Sequence, residues 1–240
     1  MKPEHLPYTA QLVLKGADTV TLLERLITCR VDDMITGDQR PGALLTPQGK
    51  IIADFHLTRT EDGCELLVHR DAISDLEKRL KMFRLRADVD IARVDLPDIS
   101  FDEAARIGAC LPVYGADFTA ADVFPTDINL DIRGGIDYKK GCFVGQEVVS
   151  RMKRRGKIRK RTISITGEGL VKGDTITAGT KRLGQVTSAT ESHALAILRI
   201  DHLATALAEA APLACGEKTV SPSLPDWLKT EMEVLQNADT

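Results

Sequence analysis

Two apolar runs, residues 43–46 and 50–58, are separated by Pro47-Gln48-Gly49. Proline and glycine supply the turn dihedrals, so this stretch predicts a β-hairpin around which its neighbours must arrange themselves. Upstream, residues 10–15 predict a strand. Gly16 then precedes Val20, Leu22, Leu23, Leu26 and Ile27 at helical spacing, with Asp18 or Thr19 as the N-cap. Downstream, residues 65–69 predict a strand. Ile73, Leu76, Leu80 and Phe83 mark one face of a helix reaching about Leu85, and residues 87–94 a further strand. The order strand, helix, hairpin, strand, helix, strand implies an α+β domain rather than a doubly wound parallel sheet.

Beyond it the texture changes twice. After a short helix at 101–108, residues 109–141 are loop-rich, with Pro112, Gly115, Pro125, Gly134, Gly135 and Gly141. Long irregular stretches inside compact domains tend to be functional. Residues 144–155 predict a helix stopped by Gly156. From there short β-branched runs at 158–165, 174–176, 183–188 and 194–200 are punctuated by Gly167, Gly169, Gly173, Gly179 and Gly184. This pattern implies a small β-barrel or sandwich. The expected organisation is an α+β region over 1–156 and a C-terminal β-barrel domain with tail over 157–240, the tail from Leu224 lying at the periphery.

The net charge of −3 conceals three unlike segments. Residues 1–138 carry −8, residues 139–161 carry +9 and residues 162–240 carry −4. The basic insert includes Arg151, Arg154, Arg155 and Lys157, a candidate anion site for RNA phosphates or for the glutamate tail of a folate. The competing reading is a solvated face that compensates two acidic domains. Aromatic residues make up 4% of the chain, which disfavours base-stacking recognition and with it an RNA-binding module. The 43% apolar and 28% charged content excludes wholesale disorder.

Other chemistries find little footing. The five cysteines, Cys29, Cys64, Cys110, Cys142 and Cys215, include no CxxC pair, which excludes a local zinc knuckle or thioredoxin-type site. The histidines form neither HxH nor HxxxH, so no metal site is expected. There is no GxSxG elbow for a serine hydrolase. Asp32-Asp33 could be cavity acids, although a turn role suits them better. With no secretory pattern at the start and an odd number of cysteines, a cytoplasmic setting is expected.

The densest signal is Tyr138-Lys139-Lys140-Gly141-Cys142-Phe143-Val144-Gly145-Gln146-Glu147. It places one thiol between two glycines, beside two ammonium groups and ahead of a helix start. Positive charge and a helix N-terminus favour thiolate, so Cys142 is expected to be the most acidic of the five. Gln146 and Glu147 suit the first helical turn. The bland alternative is a loop with a packed cysteine ahead of a capped helix.

Lys140 to Glu147 resembles the K-G-C-[FY]-x-G-Q-E signature of the YgfZ family, folate-binding, iron–sulfur-related proteins on the fold of the glycine-cleavage T-protein. Phe124-Pro125-Thr126-Asp127-Ile128-Asn129-Leu130 is similar to that family's L-P-x-E-x-N-L segment, with Asp127 where Glu is usual. Residues 45–54 resemble its hairpin, and Gly184 to Ser188 its G-x-V-T-S segment. The resemblance implies a T-protein-like folate-binding α+β region followed by a β-barrel, and a tetrahydrofolate-type ligand. It also implies a role in assembling or repairing iron–sulfur clusters, with effects on tRNA modification. Cys142 would be the functional thiol within the motif Lys140, Gly141, Phe143, Gly145, Gln146 and Glu147. Asp127 and Asn129, with Arg106 shortly before the loop-rich stretch, are candidate folate contacts. A lone cysteine cannot hold a cluster, so any cluster would be bound transiently with assembly proteins, cluster-dependent enzymes or a small thiol. An accessory role follows more readily than catalysis. A one-carbon transferase, suggested by the fold, is the alternative, although no transferase aspartate can be aligned.

Overall fold

The structure is a computed structural model that describes residues 8–97, 101–156 and 158–238. The chain divides into two compact units, Met1–Phe101 with Val113–Arg151, and Asp102–Pro112 with Met152–Thr240. The sequence signal for a boundary, Gly156, lies close to the second division, while the segment 102–112 groups with the later residues.

In the first unit, strands β1 (Ala10–Lys15), β2 (Gln39–Leu45), β3 (Ile51–Arg59), β4 (Gly63–Val68) and β5 (Asp90–Asp95) form one sheet in the order β2-β3-β4-β1-β5. All neighbouring pairs are antiparallel. β2 and β3 are the arms of the expected hairpin, with Ala43 opposite Asp54 and a register shift at Leu44/Leu45. Residues 51–57 of β3 are buried without alternation, as expected of a strand covered on both faces. Helix α1 (Thr19–Leu26) buries Leu22, Leu23 and Leu26. Its N-cap residue is Asp18, but the carboxylate accepts from the Asp88 N–H at 2.8 Å instead of capping. Helix α2 (Arg70–Arg84) buries Ala72, Ile73, Leu76 and Leu80. Strand β5 starts later than its apolar pattern suggests, because the chain turns at Leu85 (φ 49°) and Ala87 bonds back to Arg84.

Helix α3 (Glu103–Gly108) belongs to the second unit, and helix α4 (Gln146–Arg154) runs across the division. Strands β6 (Lys160–Thr166), β7 (Thr175–Ala178), β8 (Lys181–Ala189) and β9 (His193–Arg199) follow, then helix α5 (Ile200–Ala208). Strands β10 (Leu213–Cys215), β11 (Lys218–Thr219) and β12 (Ser221–Pro222) complete a seven-stranded antiparallel sheet in the order β11-β10-β7-β8-β9-β6-β12. Helix α6 (Asp226–Ala238) closes the chain.

The tail expected at the periphery is part of this unit's core. Leu228, Met232 and Leu235, at helical spacing on α6, are buried with Ile163, Val186 and Leu203. The same helix carries Glu231, whose two carboxylate oxygens accept from the fully buried Arg161, both at 2.8 Å. Trp227 lies 5.5 Å from that guanidinium. Such a bidentate pair leaves no buried charge uncompensated. Truncating the fully buried Leu228 to Ala therefore removes packing that cannot easily collapse. Urea unfolding of Leu228→Ala is expected to show a loss of about 2–5 kcal/mol, whereas a loss below about 1 kcal/mol, the range of surface changes, would return the helix to the periphery.

Candidate functional site

The signature is built from the inside outward. Lys140 is buried, and its ammonium is held by groups at the end of α1 and just after it. Nζ donates to the Cys29 carbonyl at 2.6 Å and the Ile27 carbonyl at 3.0 Å, and lies 3.4 Å from Glu24 Oε1. The carbonyls follow the C-terminal end of α1, where a cation is favoured. Burial lowers the Lys140 ammonium below the usual lysine range, while Glu24 opposes that shift. Phe143 is also buried, its ring 5.6 Å from the same ammonium. The ammonium that the sequence sets two residues from the thiol thus anchors the loop.

Gly145 explains the second half of the signature. Its φ is 80°, and a Cβ there would sit 2.7 Å from the Thr46 carbonyl in the β2–β3 turn. Gly49 (φ 80°) reciprocates, with Val148 and Val149 of α4 closing over it. The hairpin turn and the start of α4 are thus in backbone-close contact, which only glycine permits. The Gln146 side chain donates to the Lys140 carbonyl at 3.4 Å, and Glu147 lies exposed in the first turn of α4.

Cys142 sits between these two buried anchors and is exposed. A Cβ on adjacent Gly141 would meet nothing within 4 Å apart from its chain neighbours, so that glycine faces open space. The other cysteines are placed differently. Burial pushes Cys29 up to about 12 and Cys64 up to about 11, and raises Cys215 as well. The Cys110 thiol donates to the Thr162 carbonyl at 3.3 Å.

A buried polar cluster in the same unit centres on an acid outside the cysteine signature. Asp54 sits within the apolar run of β3 and is 3% exposed. An acid in the middle of a buried strand is itself a signal, because carboxylates are rarely buried without purpose. Tyr8 donates to Asp54 Oδ2 at 3.2 Å, and the Tyr8 and His56 rings are 5.7 Å apart. The Arg133 charge acts on all three. Asp54 Oδ1, His56 Nδ1, and Arg133 Nε and Nη2 are buried and make no hydrogen bond. Each unmet buried group costs about 1–3 kcal/mol. Together they offer both acceptors and donors, the complement a polar heteroaromatic ligand requires. Burial raises the Asp54 carboxyl, against the lowering effects of Arg133 and the Tyr8 hydrogen bond. Burial, then Arg133, lowers His56 to about 4.

The remaining candidates are scattered. Asp127 and Asn129 are buried in the 124–130 turn, where Asp127 Oδ2 accepts from the Phe124 N–H at 3.0 Å and Asn129 adopts φ 58°. Arg106 is fully buried in the other unit. Its guanidinium binds both oxygens of Glu103 and the Leu111 carbonyl, so its geometry gives no support to a folate contact. Arg151, Arg154 and Arg155 are exposed, and Lys157 lies outside the described residues. Arg30 and Arg40 pair with Asp32 and Asp33, which accordingly serve ion pairs at the surface.

Two predictions follow from this geometry. Gly145→Ala forces a left-handed residue and a clash with backbone, and is expected to lower the urea midpoint by the equivalent of at least about 1 kcal/mol; an unchanged midpoint would remove the hairpin–helix contact from the account. His56 is neutral in the fold down to about pH 4, whereas the unfolded chain protonates it near 6.5. Between those values the unfolded state binds more protons, so this residue's contribution to stability is lost as pH falls through that window. Asp54, with its raised folded-state value, acts in the opposite sense. His56→Gln should therefore lessen the destabilisation between pH 6.5 and 4 in urea titrations, and a variant with the wild-type slope would contradict the assignment.

Known proteins fit this layout. Residues 159–230 match the family model described as CAF17, C-terminal beta-barrel domain. The chain is 24% identical over 225 residues to "Iron-sulfur cluster assembly factor IBA57 homolog, mitochondrial" of Mycosarcoma maydis, covering 67% of this chain and 56% of that protein. It is 44% identical over 50 residues to "tRNA-modifying protein YgfZ" of Photobacterium profundum, covering 21% of this chain and 15% of that one. The chain thus spans about half the length of the first of these relatives. Among solved structures, the glycine cleavage system aminomethyltransferase T of Bartonella henselae superposes with a TM-score of 0.74 at 14% identity, covering 92% of this chain and 84% of that chain. The fold is therefore of the aminomethyltransferase type, with a C-terminal β-barrel. The complete cysteine signature on that fold, together with these relatives, supports assignment of the chain to the YgfZ family.

Proposed function

We propose that this chain is a folate-dependent factor in the assembly or maintenance of iron–sulfur clusters, with indirect effects on tRNA modification, and that Cys142 is its working thiol. The observation that carries the reading is the placement of Cys142: exposed, next to a glycine that faces open space, on a loop held by buried Lys140 and Phe143. The relatives named as an iron–sulfur cluster assembly factor and a tRNA-modifying protein supply the process. Among the described residues no group of three or more His, Cys, Asp or Glu could hold a metal ion. A cluster, as cargo, would thus share Cys142 with ligands from a partner protein or a small thiol, since four ligands are the norm.

The folate part of the reading rests on the buried cluster. Asp54, His56 and Arg133 have unmet hydrogen-bonding atoms, and a pterin has donors and acceptors on one edge to meet them. When bound, the folate would supply one-carbon or redox chemistry; the chain's own part is to satisfy its polar edge and exclude water. A cytoplasmic setting belongs to this proposal, on the odd number of cysteines and their lack of pairing, while the curated assembly-factor relatives carry "mitochondrial" in their names. No helix among the described residues is long and apolar enough to cross a membrane.

Cys142→Ser in the native host separates the parts. It is expected to keep fold and folate affinity while cluster-dependent enzymes lose activity; full activity of those enzymes would refute the thiol's role. Asp54→Asn is expected to weaken tetrahydrofolate binding about tenfold, the worth of one hydrogen bond to a charged group. Undiminished binding would move the ligand elsewhere, and one-carbon transfer indifferent to Cys142 would favour the transferase class.

A further inference from the structure

A cleft of about 320 Å³ in the first unit is lined by Arg30, Arg40, Gly134, Ile136, Asp137, Tyr138 and Lys139. Three cations line it against one acid, and that acid is already committed. Asp137 Oδ2 accepts from Arg30 Nε at 2.9 Å, while Oδ1 accepts from the Lys139 and Lys140 N–H groups at 2.7 and 3.0 Å. Arg40 spends only Nη1, on Asp33 Oδ1 at 2.6 Å and the Arg30 carbonyl at 3.1 Å. Asp33 and Asp32, the latter 3.9 Å from Arg30 Nε, are acids close to the arginines that do not line the cleft. Among the described residues the Nη groups of Arg30, Nε and Nη2 of Arg40 and the Lys139 ammonium make no hydrogen bond. Two guanidinium groups, each fixed by an ion pair, thus present unused donors beside a free ammonium.

The geometry points to an anion-binding site in this cleft, taking a small ligand that carries adjacent carboxylates or a phosphate. Planar guanidinium groups suit both groups by paired hydrogen bonds, and the ion pairs that fix Arg30 and Arg40 reduce the ordering cost of binding. The volume fits a ligand at the small end of the usual range. None of the exposed cations of α4 lines the cleft, so it is a distinct reading of the chain's positive charge. It is independent of the folate proposal, because Asp54 and His56 do not line the cleft.

Titration calorimetry of the full chain with γ-linked triglutamate, citrate, inorganic phosphate and pyrophosphate tests it, the four probes deciding between carboxylate and phosphate. Saturable binding of at least one probe is expected, weakened about tenfold in the double variant R40Q/K139Q. K181Q, an exposed charge in the other unit, should leave binding unchanged, as should Asp54→Asn. If R40Q fails to fold by circular dichroism, the exposed K139Q alone should weaken binding about threefold. Saturable binding of none of the probes, binding indifferent to K139Q, or an equal loss in K181Q would overturn the assignment. None of these outcomes depends on whether the chain binds a folate.

Discussion

A single buried ammonium organises the functional face of the first unit. Lys140 is surrounded by the carbonyls of Ile27 and Cys29 and the Glu24 carboxylate, and Glu24 in turn accepts from the Val31 N–H at 2.7 Å. Removing one partner from such a buried pair costs about 3–5 kcal/mol, because the other is left uncompensated. The loop 137–142 is therefore tied to the exit from α1 far more firmly than an exposed lysine could manage. With Lys140 turned inward, Cys142 two residues on is turned out, and Asp137 and Lys139 face the cleft.

The signature residues divide by what they satisfy. Lys140, Phe143 and Gly145 meet needs inside the chain: a buried charge network, a buried ring and a backbone approach to Thr46 at which a side chain would clash. Gly141 and Cys142 meet none, since nothing lies within 4 Å of a Cβ on Gly141 and the thiol is exposed. Residues with no internal task in a loop held so rigidly point outward to a partner or ligand. The same reasoning applies to Asp54, His56 and Arg133, whose unmet atoms face inward.

Much of this architecture is legible in the sequence, for local reasons. Pro47 and Gly49 announce the hairpin, and the face of α2 follows from Ile73, Leu76 and Leu80. The limits are equally local. Helix α5 continues directly from β9, so the apolar run 194–200 masks its start, although Ile200, Leu203 and Ala204 carry helical spacing. The tail from Leu224 reads as peripheral because the polar residues of α6 outnumber Leu228, Met232 and Leu235; its ion pair with Arg161, 70 positions earlier, is something no window of sequence can reveal. Lys140 has the same character. Cys142 is only two residues away, but the partners of Lys140 are more than 110 positions away, so its anchoring role is invisible in the local sequence. Asp54 was readable as an acid in an apolar strand, yet its meaning emerges only when Tyr8, His56 and Arg133 are brought beside it.

Hydrogen exchange of the 137–143 amides in Lys140→Met tests the anchoring role most directly. If the buried ammonium holds this loop, exchange there accelerates while β1 and β4 keep their wild-type protection. Unchanged protection across 137–143 would contradict the account, as would an acceleration spread evenly over the whole chain.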